Sequence, residues 1–152
     1  MTHTDRGGAH VHAPVADTFA ALVDADARVI WLPPTGMSGR FEHFDAVPGG
    51  GYRMVLSYDD PTMRGKTEAN RDVVEVRFGV IDPPHRVVEL VDFVSSDPTL
   101  GGSMTITWSL TSEGDGTWVS IIASDVPDSL STEQHEAAFA STLANLDAYL
   151  TR

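Results

Sequence analysis

The C-terminal run of residues 131–150 constrains the fold more than any other part of this sequence. Its four large apolar residues are spaced four, three and four positions apart, and they are Phe139, Leu143, Leu146 and Leu150. This spacing places them on one face of an α-helix. Ser131 followed three positions later by Gln134 forms a capping-box pattern, which predicts that the helix starts here. Because one amphipathic helix cannot bury its own apolar face, the rest of the chain must supply a packing surface.

That surface is predicted upstream, where the apolar pattern changes from a helical period to a period of two. Apolar and polar residues alternate in short segments separated by turns rich in glycine and proline, which is typical of antiparallel strands with one covered face. The predicted strands cover residues 39–47, 52–58, 74–80, 86–94, 104–111 and 119–123. Residues 9–13 are predicted as an earlier strand, followed by one short helix entered at Pro14 and another capped by Asp24.

These elements predict an α+β fold. A curled antiparallel sheet of about seven strands wraps around the long C-terminal helix, and two short helices follow the first strand. Residues 1–8 are polar and contain glycine, so we expect a disordered tail there and a single domain over residues 9–152. Residues 59–71 are predicted as a loop.

Charge and composition exclude several functional classes. The formal net charge is -12, with 22 acidic and 10 basic residues, so nucleic acid and anionic membrane surfaces are not expected partners. The chain has no cysteine, which rules out disulfides, thiolate zinc sites and a cysteine nucleophile. We also expect no membrane span and a cytoplasmic location, since the sequence has neither a long apolar run nor a secretory leader.

Histidines near the N-terminus raise the question of a metal site. His10 and His12 are two positions apart on a predicted strand, so their side chains point the same way, and His3 lies nearby. A zinc site needs three or four ligands held by further contacts, and the neighbouring sequence does not supply a complete set. We therefore predict no metal and no cofactor.

Six short motifs in order give the chain a family resemblance. They are Ala13-Pro14, Trp31-Leu-Pro-Pro-x-Gly-Met37, Pro48-Gly-Gly-Gly-Tyr-Arg53, Asp82-Pro-Pro-His-Arg-Val87, Gly116-Thr117 and the helix pattern Phe139-x-x-x-Leu143-x-x-Leu146. Together they resemble the START-like (SRPBCC, helix-grip) superfamily and, within it, the family similar to heat shock protein 90 ATPase activator homologue 1. The resemblance covers residues 9–150 and implies a helix-grip fold that keeps a hydrophobic cavity. Eukaryotic activators carry a separate N-terminal domain for which this sequence has no room, so the family name does not imply chaperone activation here.

The curled sheet and the resemblance together predict which side chains line the cavity. The expected ligand-contacting residues are Trp31, Met54, Leu56, Phe78, Leu90, Met104, Ile106, Trp108, Ile121, Phe139 and Leu143. We expect a ligand to enter near Trp31 and Trp108, with His43 and Asp92 as possible polar groups in the cavity. Trp118 has the opposite strand parity and is expected to be exposed.

The leading functional hypothesis is a domain that binds a hydrophobic small molecule without defined catalysis, acting as a monomer or homodimer. One alternative is a cyclase- or hydrolase-like enzyme that acts on an aromatic or polyketide-like substrate in the same cavity. Another is a module that interacts with a chaperone or regulator. An apolar lining favours binding, converging polar groups favour catalysis, and an exposed apolar patch without a cavity favours a protein partner.

Overall fold

The computed structural model describes residues 2–63, 70–95 and 97–152. The strands are β1 (Thr2–Val11), β2 (Met37–Asp45), β3 (Gly51–Tyr58), β4 (Arg71–Asp82), β5 (Arg86–Phe93), β6 (Met104–Glu113) and β7 (Gly116–Pro127). The helices are α1 (Val15–Leu22), α2 (Ala25–Trp31) and α3 (Thr132–Leu150), with a short 3-10 helix at Pro98–Leu100. The predicted α+β architecture and the order of its elements are confirmed.

The strands form one seven-stranded sheet in the order β1-β7-β6-β5-β4-β3-β2. Every neighbouring pair is antiparallel. Strands β1 and β2 form the two edges of the sheet, and α1 and α2 carry the chain from one edge to the other. The two short helices therefore lie where they can cover the concave side together with α3.

The first strand is longer than the sequence predicted. Residues 2–8 were expected to be disordered, but β1 pairs with β7 from Thr2 opposite Pro127 to Val11 opposite Thr117. Asp5 explains the difference, because its side chain is fully buried and hydrogen-bonded to α3 instead of reaching water. A polar sequence thus forms an edge strand whose pairing depends on contacts with a distant element. Met1 lies outside the described residues.

Helix α3 forms where the capping pattern placed it. The Ser131 hydroxyl accepts a hydrogen bond from the Gln134 amide at 3.2 Å. Phe139, Leu143 and Leu146 are buried against the sheet side of the core, and Leu150 is partly buried. The helix comes close to β1 at Gly7, where a Cβ atom would stand 2.8 Å from Cβ of Phe139. The absence of a side chain at Gly7 therefore sets how closely this edge of the sheet approaches α3.

Strand parity determines which side chains enter the core. On β3 to β7 the inward positions include buried residues at alternate places, namely Tyr52, Met54, Val76, Phe78, Val87, Val91, Met104, Trp108, Leu110, Val119, Ile121 and Ala123. Trp118 has the opposite parity and is 40% exposed, as predicted.

Of the predicted loop at 59–71, residues 64–69 lie outside the described part of the chain, and Arg71 already belongs to β4. None of the described helices is both long and apolar enough to cross a bilayer.

The close contact between β1 and α3 can be tested with a pair of neighbouring substitutions. Gly7→Ala should lower the free energy of unfolding by about 1–3 kcal/mol, because the new methyl group meets the base of the Phe139 side chain and the helix must shift. Gly8→Ala is the matched control. Its methyl group would meet the ring of Trp118, with Cζ2 at 2.6 Å, and this ring is partly exposed and can rotate away. Urea unfolding of both variants measures the difference, and equal losses would contradict this packing.

Candidate functional site

A cavity of about 510 Å³ lies beside the N-terminal half of α3. Its walls come from the linker between α2 and β2, from the end of β3 and the turn after it, and from residues 129–141. The lining residues are Pro34, Thr35, Met37, Tyr58, Met63, Ser129, Leu130, Ser131, Gln134, His135, Ala137, Ala138 and Ser141. The volume falls within the range of roughly 300 to 1,000 Å³ that is usual for small-molecule pockets.

Small side chains on α3 leave room for this cavity. Gln134, Ala138 and Ser141 are four and three positions apart, and Ala137 is three positions from Gln134 and four from Ser141. All four therefore share a flank of the helix that differs from the flank carrying Phe139. Two alanines and a serine project little volume from that flank. One helix therefore fills the core on one side and borders an open space on another.

The linker wall of the cavity is tied to α3 by four hydrogen bonds. The Thr35 amide donates to Oγ of Ser141 at 2.9 Å, and this hydroxyl donates to Oγ1 of Thr35 at 3.1 Å. Further along the helix, Thr142 donates to the Leu32 carbonyl at 2.9 Å and Asn145 donates to the Pro33 carbonyl at 3.0 Å. These bonds fix the position of the linker in the absence of ligand. A more open groove of about 400 Å³ adjoins the cavity across the same linker.

Asp5 and His135 place a polar pair at the cavity wall. Nδ1 of His135 lies 2.7 Å from Oδ2 of Asp5, and Thr132 donates to Oδ1 of Asp5 at 2.7 Å. Nε2 of His3 also contacts Oδ2 at 3.0 Å. Burial alone would raise the pKa of Asp5, but the hydrogen bonds from Thr132 and His135 and the charges of the histidines together lower it. Asp5 is therefore a carboxylate that holds the first turn of α3 against β1.

His3 continues this cluster toward the surface. Its Nδ1 lies 3.1 Å from Oδ1 of Asp128. The hydrogen bond with Asp128 is the main reason that the pKa of His3 is raised, and the charge of Asp5 adds to the shift. His10, near the end of β1, contacts Glu113, and His12, just after β1, contacts Asp147. Among the described residues there is no group of three or more histidine, aspartate or glutamate side chains arranged to hold a metal ion.

A buried ion pair occupies the centre of the core. Nη2 of Arg28, on α2, donates to Oε1 of Glu89, on β5, at 2.8 Å and lies 2.7 Å from Oε2. Both residues are nearly inaccessible to solvent. Trp108 also donates its indole N–H to Oε1 of Glu89 at 2.8 Å. Burial alone would lower the pKa of Arg28, but the charges of Glu89 and Tyr52 and the hydrogen bond to Glu89 together raise it.

Side chains of the same cluster donate hydrogen bonds to the C-terminal carbonyls of α1. Nη1 of Arg28 donates to the Leu22 carbonyl at 3.0 Å, and the Trp31 indole donates to the Ala21 carbonyl at 3.1 Å. These are carbonyls of the last helical turn, which lack partners within their own helix. Among the described residues, Nε of Arg28 has no hydrogen-bond partner. The pair is thus strongly held but not fully satisfied.

Aromatic rings surround the guanidinium of Arg28. Its Cζ lies 5.1 Å from the ring centroid of Tyr52, 5.6 Å from that of Trp108 and 5.7 Å from that of Trp31. Burial is the main reason that the pKa of Tyr52 is raised, the charge on Arg28 opposes the shift, and the charge on Glu89 adds to it. The rings exclude water from the ion pair and so strengthen its electrostatic attraction.

Most of the residues predicted to contact a ligand lie in the packed core. Trp31 and Trp108 are 0% and 3% exposed, and their rings meet edge to face with centroids 5.6 Å apart. The other buried members of the set are Met54, Phe78, Met104, Ile121, Phe139 and Leu143, while Leu56 and Ile106 pack at the border of the core. None of these residues lines either cavity. Leu90 has the opposite parity to the buried Glu89 and lies on the other face of the sheet.

His43 and Asp92 are brought onto the outer face of the sheet. His43 pairs with Arg53 across β2 and β3, Arg53 pairs with Glu75 across β3 and β4, and Glu75 pairs with Asp92 across β4 and β5. Arg53 donates to Glu75 at 2.8 Å, and Nε2 of His43 lies 3.8 Å from the same carboxylate. The predicted polar cavity residues therefore belong to a row of surface charges, because their strand parity is opposite to that of the core.

Comparison with known proteins identifies the family. The profile of the family described as "Activator of Hsp90 ATPase homolog 1-like protein" matches residues 12–151. The chain belongs to this family. No curated protein matches the chain. The family assignment agrees with the resemblance seen in the sequence motifs.

Solved structures from this family and its wider fold are similar over nearly the whole chain. A crystal structure of a protein from Chromobacterium violaceum is 25% identical, with a TM-score of 0.86 and coverage of 98% of this chain and 97% of that one. The solution structure of a family member from Aeromonas hydrophila is 18% identical, with a TM-score of 0.74 and coverage of 98% and 92%. DynU16, from the dynemicin biosynthetic locus, is 20% identical, with a TM-score of 0.70. This chain is covered to 97% in that match and spans 47% of DynU16.

Sequence patterns gave only partial signals for the polar residues that this family member buries. Arg28 shares a helical face with Trp31 three positions later, and Glu89 alternates with the apolar Val87 and Val91, so both lie at core positions by periodicity. Because an isolated buried charge is costly and the partner of each residue is distant in sequence, the pattern did not predict that these charged side chains are buried. Asp5 and His135 carried no such signal.

The buried ion pair can be tested with a double-mutant cycle. Glu89→Leu should cost about 3–5 kcal/mol in the free energy of unfolding, because it leaves the charge of Arg28 buried and unpaired. Arg28→Met combined with Glu89→Leu should be more stable than Glu89→Leu alone, because no lone charge remains in the core. Chemical denaturation of the single and double variants measures the coupling. Additive losses would show that the two charges do not depend on each other.

Proposed function

We propose that this protein binds a hydrophobic small molecule in the cavity beside α3. The observation that carries the proposal is the cavity of about 510 Å³ itself, with a wall already fixed to the helix through Thr35 and Ser141. A preformed wall reduces the ordering cost that a ligand would otherwise meet on binding. The proposal concerns this cavity and not the tryptophan-lined core.

The chemistry of the lining supports an apolar ligand body. Met37, Tyr58, Met63, Leu130 and Ala138 supply apolar surface. Burying such a ligand contributes roughly 25 cal/mol per Å² of apolar area, less the entropy of immobilising it. The two methionines have flexible side chains, which adapt to ligands of different shape.

The comparison with DynU16 also favours a small molecule over a protein partner. That protein is encoded in a biosynthetic locus and shares this fold. The similarity is at the level of the fold, so it supports the class of ligand and does not identify one.

Catalysis on a small molecule in the same cavity is the second candidate function. The specific observation in its favour is that His135 lines the cavity while the buried Asp5 binds its Nδ1 at 2.7 Å. In many enzymes the general base is a histidine whose imidazole is oriented by a carboxylate. Turnover of a bound compound would distinguish this function from binding alone.

The cavity can be tested by filling it. Ala138→Trp places an indole on the wall of the cavity and should weaken binding of the neutral probe N-phenyl-1-naphthylamine by at least about tenfold, which corresponds to about 1.4 kcal/mol. Ala140→Trp is the matched control, since Ala140 is an exposed alanine on α3 that does not line the cavity. Isothermal titration calorimetry measures both affinities, and melting temperatures confirm that both variants fold. Equal affinity in the wild type and Ala138→Trp would contradict the proposal.

A further inference from the structure

The Tyr58 hydroxyl is a polar group of the cavity wall that the fold does not use. Tyr58 is the last residue of β3, it is half-buried, and it lines the cavity. Its backbone N–H donates to the Asn70 carbonyl at 3.0 Å, but among the residues that the structure describes none forms a hydrogen bond with its hydroxyl. A tyrosine that is withdrawn from water usually finds a partner for its O–H group. This hydroxyl is therefore available to a ligand.

The other uncharged polar side chains on the wall are either engaged in the fold or hydrated. Oγ of Ser141 donates to the Thr35 hydroxyl, Oγ of Ser131 caps α3, and Oγ of Ser129 donates to a backbone carbonyl at 3.3 Å. Gln134 is exposed, so water satisfies its side-chain amide. A ligand thus gains most from a hydrogen bond with the half-buried phenol.

The charges at the cavity wall are compensated within the fold. None of the described lining residues is an aspartate, glutamate, lysine or arginine. The lining histidine, His135, is bonded to the buried carboxylate of Asp5 at 2.7 Å. A charged ligand would lose hydration here without meeting an uncompensated opposite charge, which is costly. The net charge of -12 opposes an anion further, so the cavity suits an uncharged molecule.

We propose that the ligand is an uncharged, largely apolar molecule whose carbonyl oxygen accepts a hydrogen bond from the Tyr58 hydroxyl. This inference rests on the function proposed above and specifies the chemical class of the ligand. A phenol donates more strongly than it accepts, because its oxygen lone pairs are delocalised into the ring, so an acceptor on the ligand suits it best. Met37 pairs with Tyr58 across β2 and β3 on the same face, which places apolar surface beside the ring.

Two compounds of similar shape test the inference. 2-Acetylnaphthalene has a carbonyl oxygen where 2-isopropenylnaphthalene has a methylene group. Tyr58→Phe removes the hydroxyl and keeps the ring. It should weaken binding of the ketone about fivefold, which corresponds to about 1 kcal/mol, and leave the affinity for the alkene nearly unchanged. Isothermal titration calorimetry gives all four dissociation constants, and unchanged binding of the alkene shows that the cavity is intact.

Tyr149→Phe is the matched control. Tyr149 lines the adjoining groove and not the cavity, so the loss of its hydroxyl should leave both affinities unchanged. A third compound, 2-naphthoate, tests the charge of the ligand, since it keeps a carbonyl oxygen but is an anion at neutral pH. The wild type should bind it at least about tenfold more weakly than the ketone.

The outcomes separate this inference from the proposed function. If Tyr58→Phe leaves the affinity for the ketone unchanged, or weakens binding of ketone and alkene equally, the role of the hydroxyl is overturned and cavity binding stands. Binding of 2-naphthoate as tight as that of the ketone would overturn the uncharged class. If the wild type binds neither the ketone nor the alkene and Ala138→Trp has no effect on N-phenyl-1-naphthylamine, both the inference and the proposed function fail. A loss in Tyr58→Phe that is confined to the ketone supports both.

Discussion

The buried ion pair between Arg28 and Glu89 is the interaction on which the arrangement of the helices depends. It joins α2 to β5 in the middle of the sheet, and the same guanidinium donates to the last carbonyl of α1. The position of α2 then determines where the chain leaves it, at Leu32 and Pro33, whose carbonyls accept hydrogen bonds from α3. The linker that continues from this point forms one wall of the cavity. A contact deep in the core thus sets the shape of a surface pocket.

Two demands on α3 explain why this fold leaves a cavity. The helix must fill the curl of the sheet on one flank, which it does with Phe139, Leu143 and Leu146. It must also meet the linker on another flank, where alanine and serine side chains leave space unfilled. At its N-terminus, Asp5 ties α3 to the edge strand β1 through Thr132 and His135. The cavity therefore lies between the two places where α3 is attached, at the linker and at β1. One of its polar groups, His135, belongs to the attachment at β1.

Much of the fold could be predicted from the sequence, because periodicity reports which side of an element is covered. The helical spacing in α3 and the alternation in β6 and β7 gave the correct elements, sheet and helix. Strand parity also predicted correctly that Trp108 is buried and Trp118 is exposed. Periodicity does not report whether an inward side chain touches protein or empty space. Trp31 and Trp108 were therefore expected at a ligand, although each has a hydrogen-bond partner and packs against the other.

The polar sites were harder to predict because each depends on residues far apart in the chain. Asp5 lies in a stretch that resembles a disordered tail, and only its contacts with residues 132 and 135 make it a buried carboxylate. Glu89 sits at a core position, but its partner on α2 is 61 positions away. His43 and Asp92 looked similar to these groups in sequence, yet their strand parity places them in the outer row of charges with Arg53 and Glu75.

The central claim is that ligand binds beside α3 and leaves the tryptophan core intact. The most direct measurement is a ¹H–¹⁵N correlation spectrum recorded while the neutral probe N-phenyl-1-naphthylamine is titrated into the protein. The account predicts that the amide signals of residues 35–37 and 129–141 shift at saturation, because these segments line the cavity. It also predicts that the indole signals of Trp31 and Trp108 stay in place, since both N–H groups remain bonded to Ala21 and Glu89. Large shifts of these two indole signals, with the α3 amides unchanged, would contradict it.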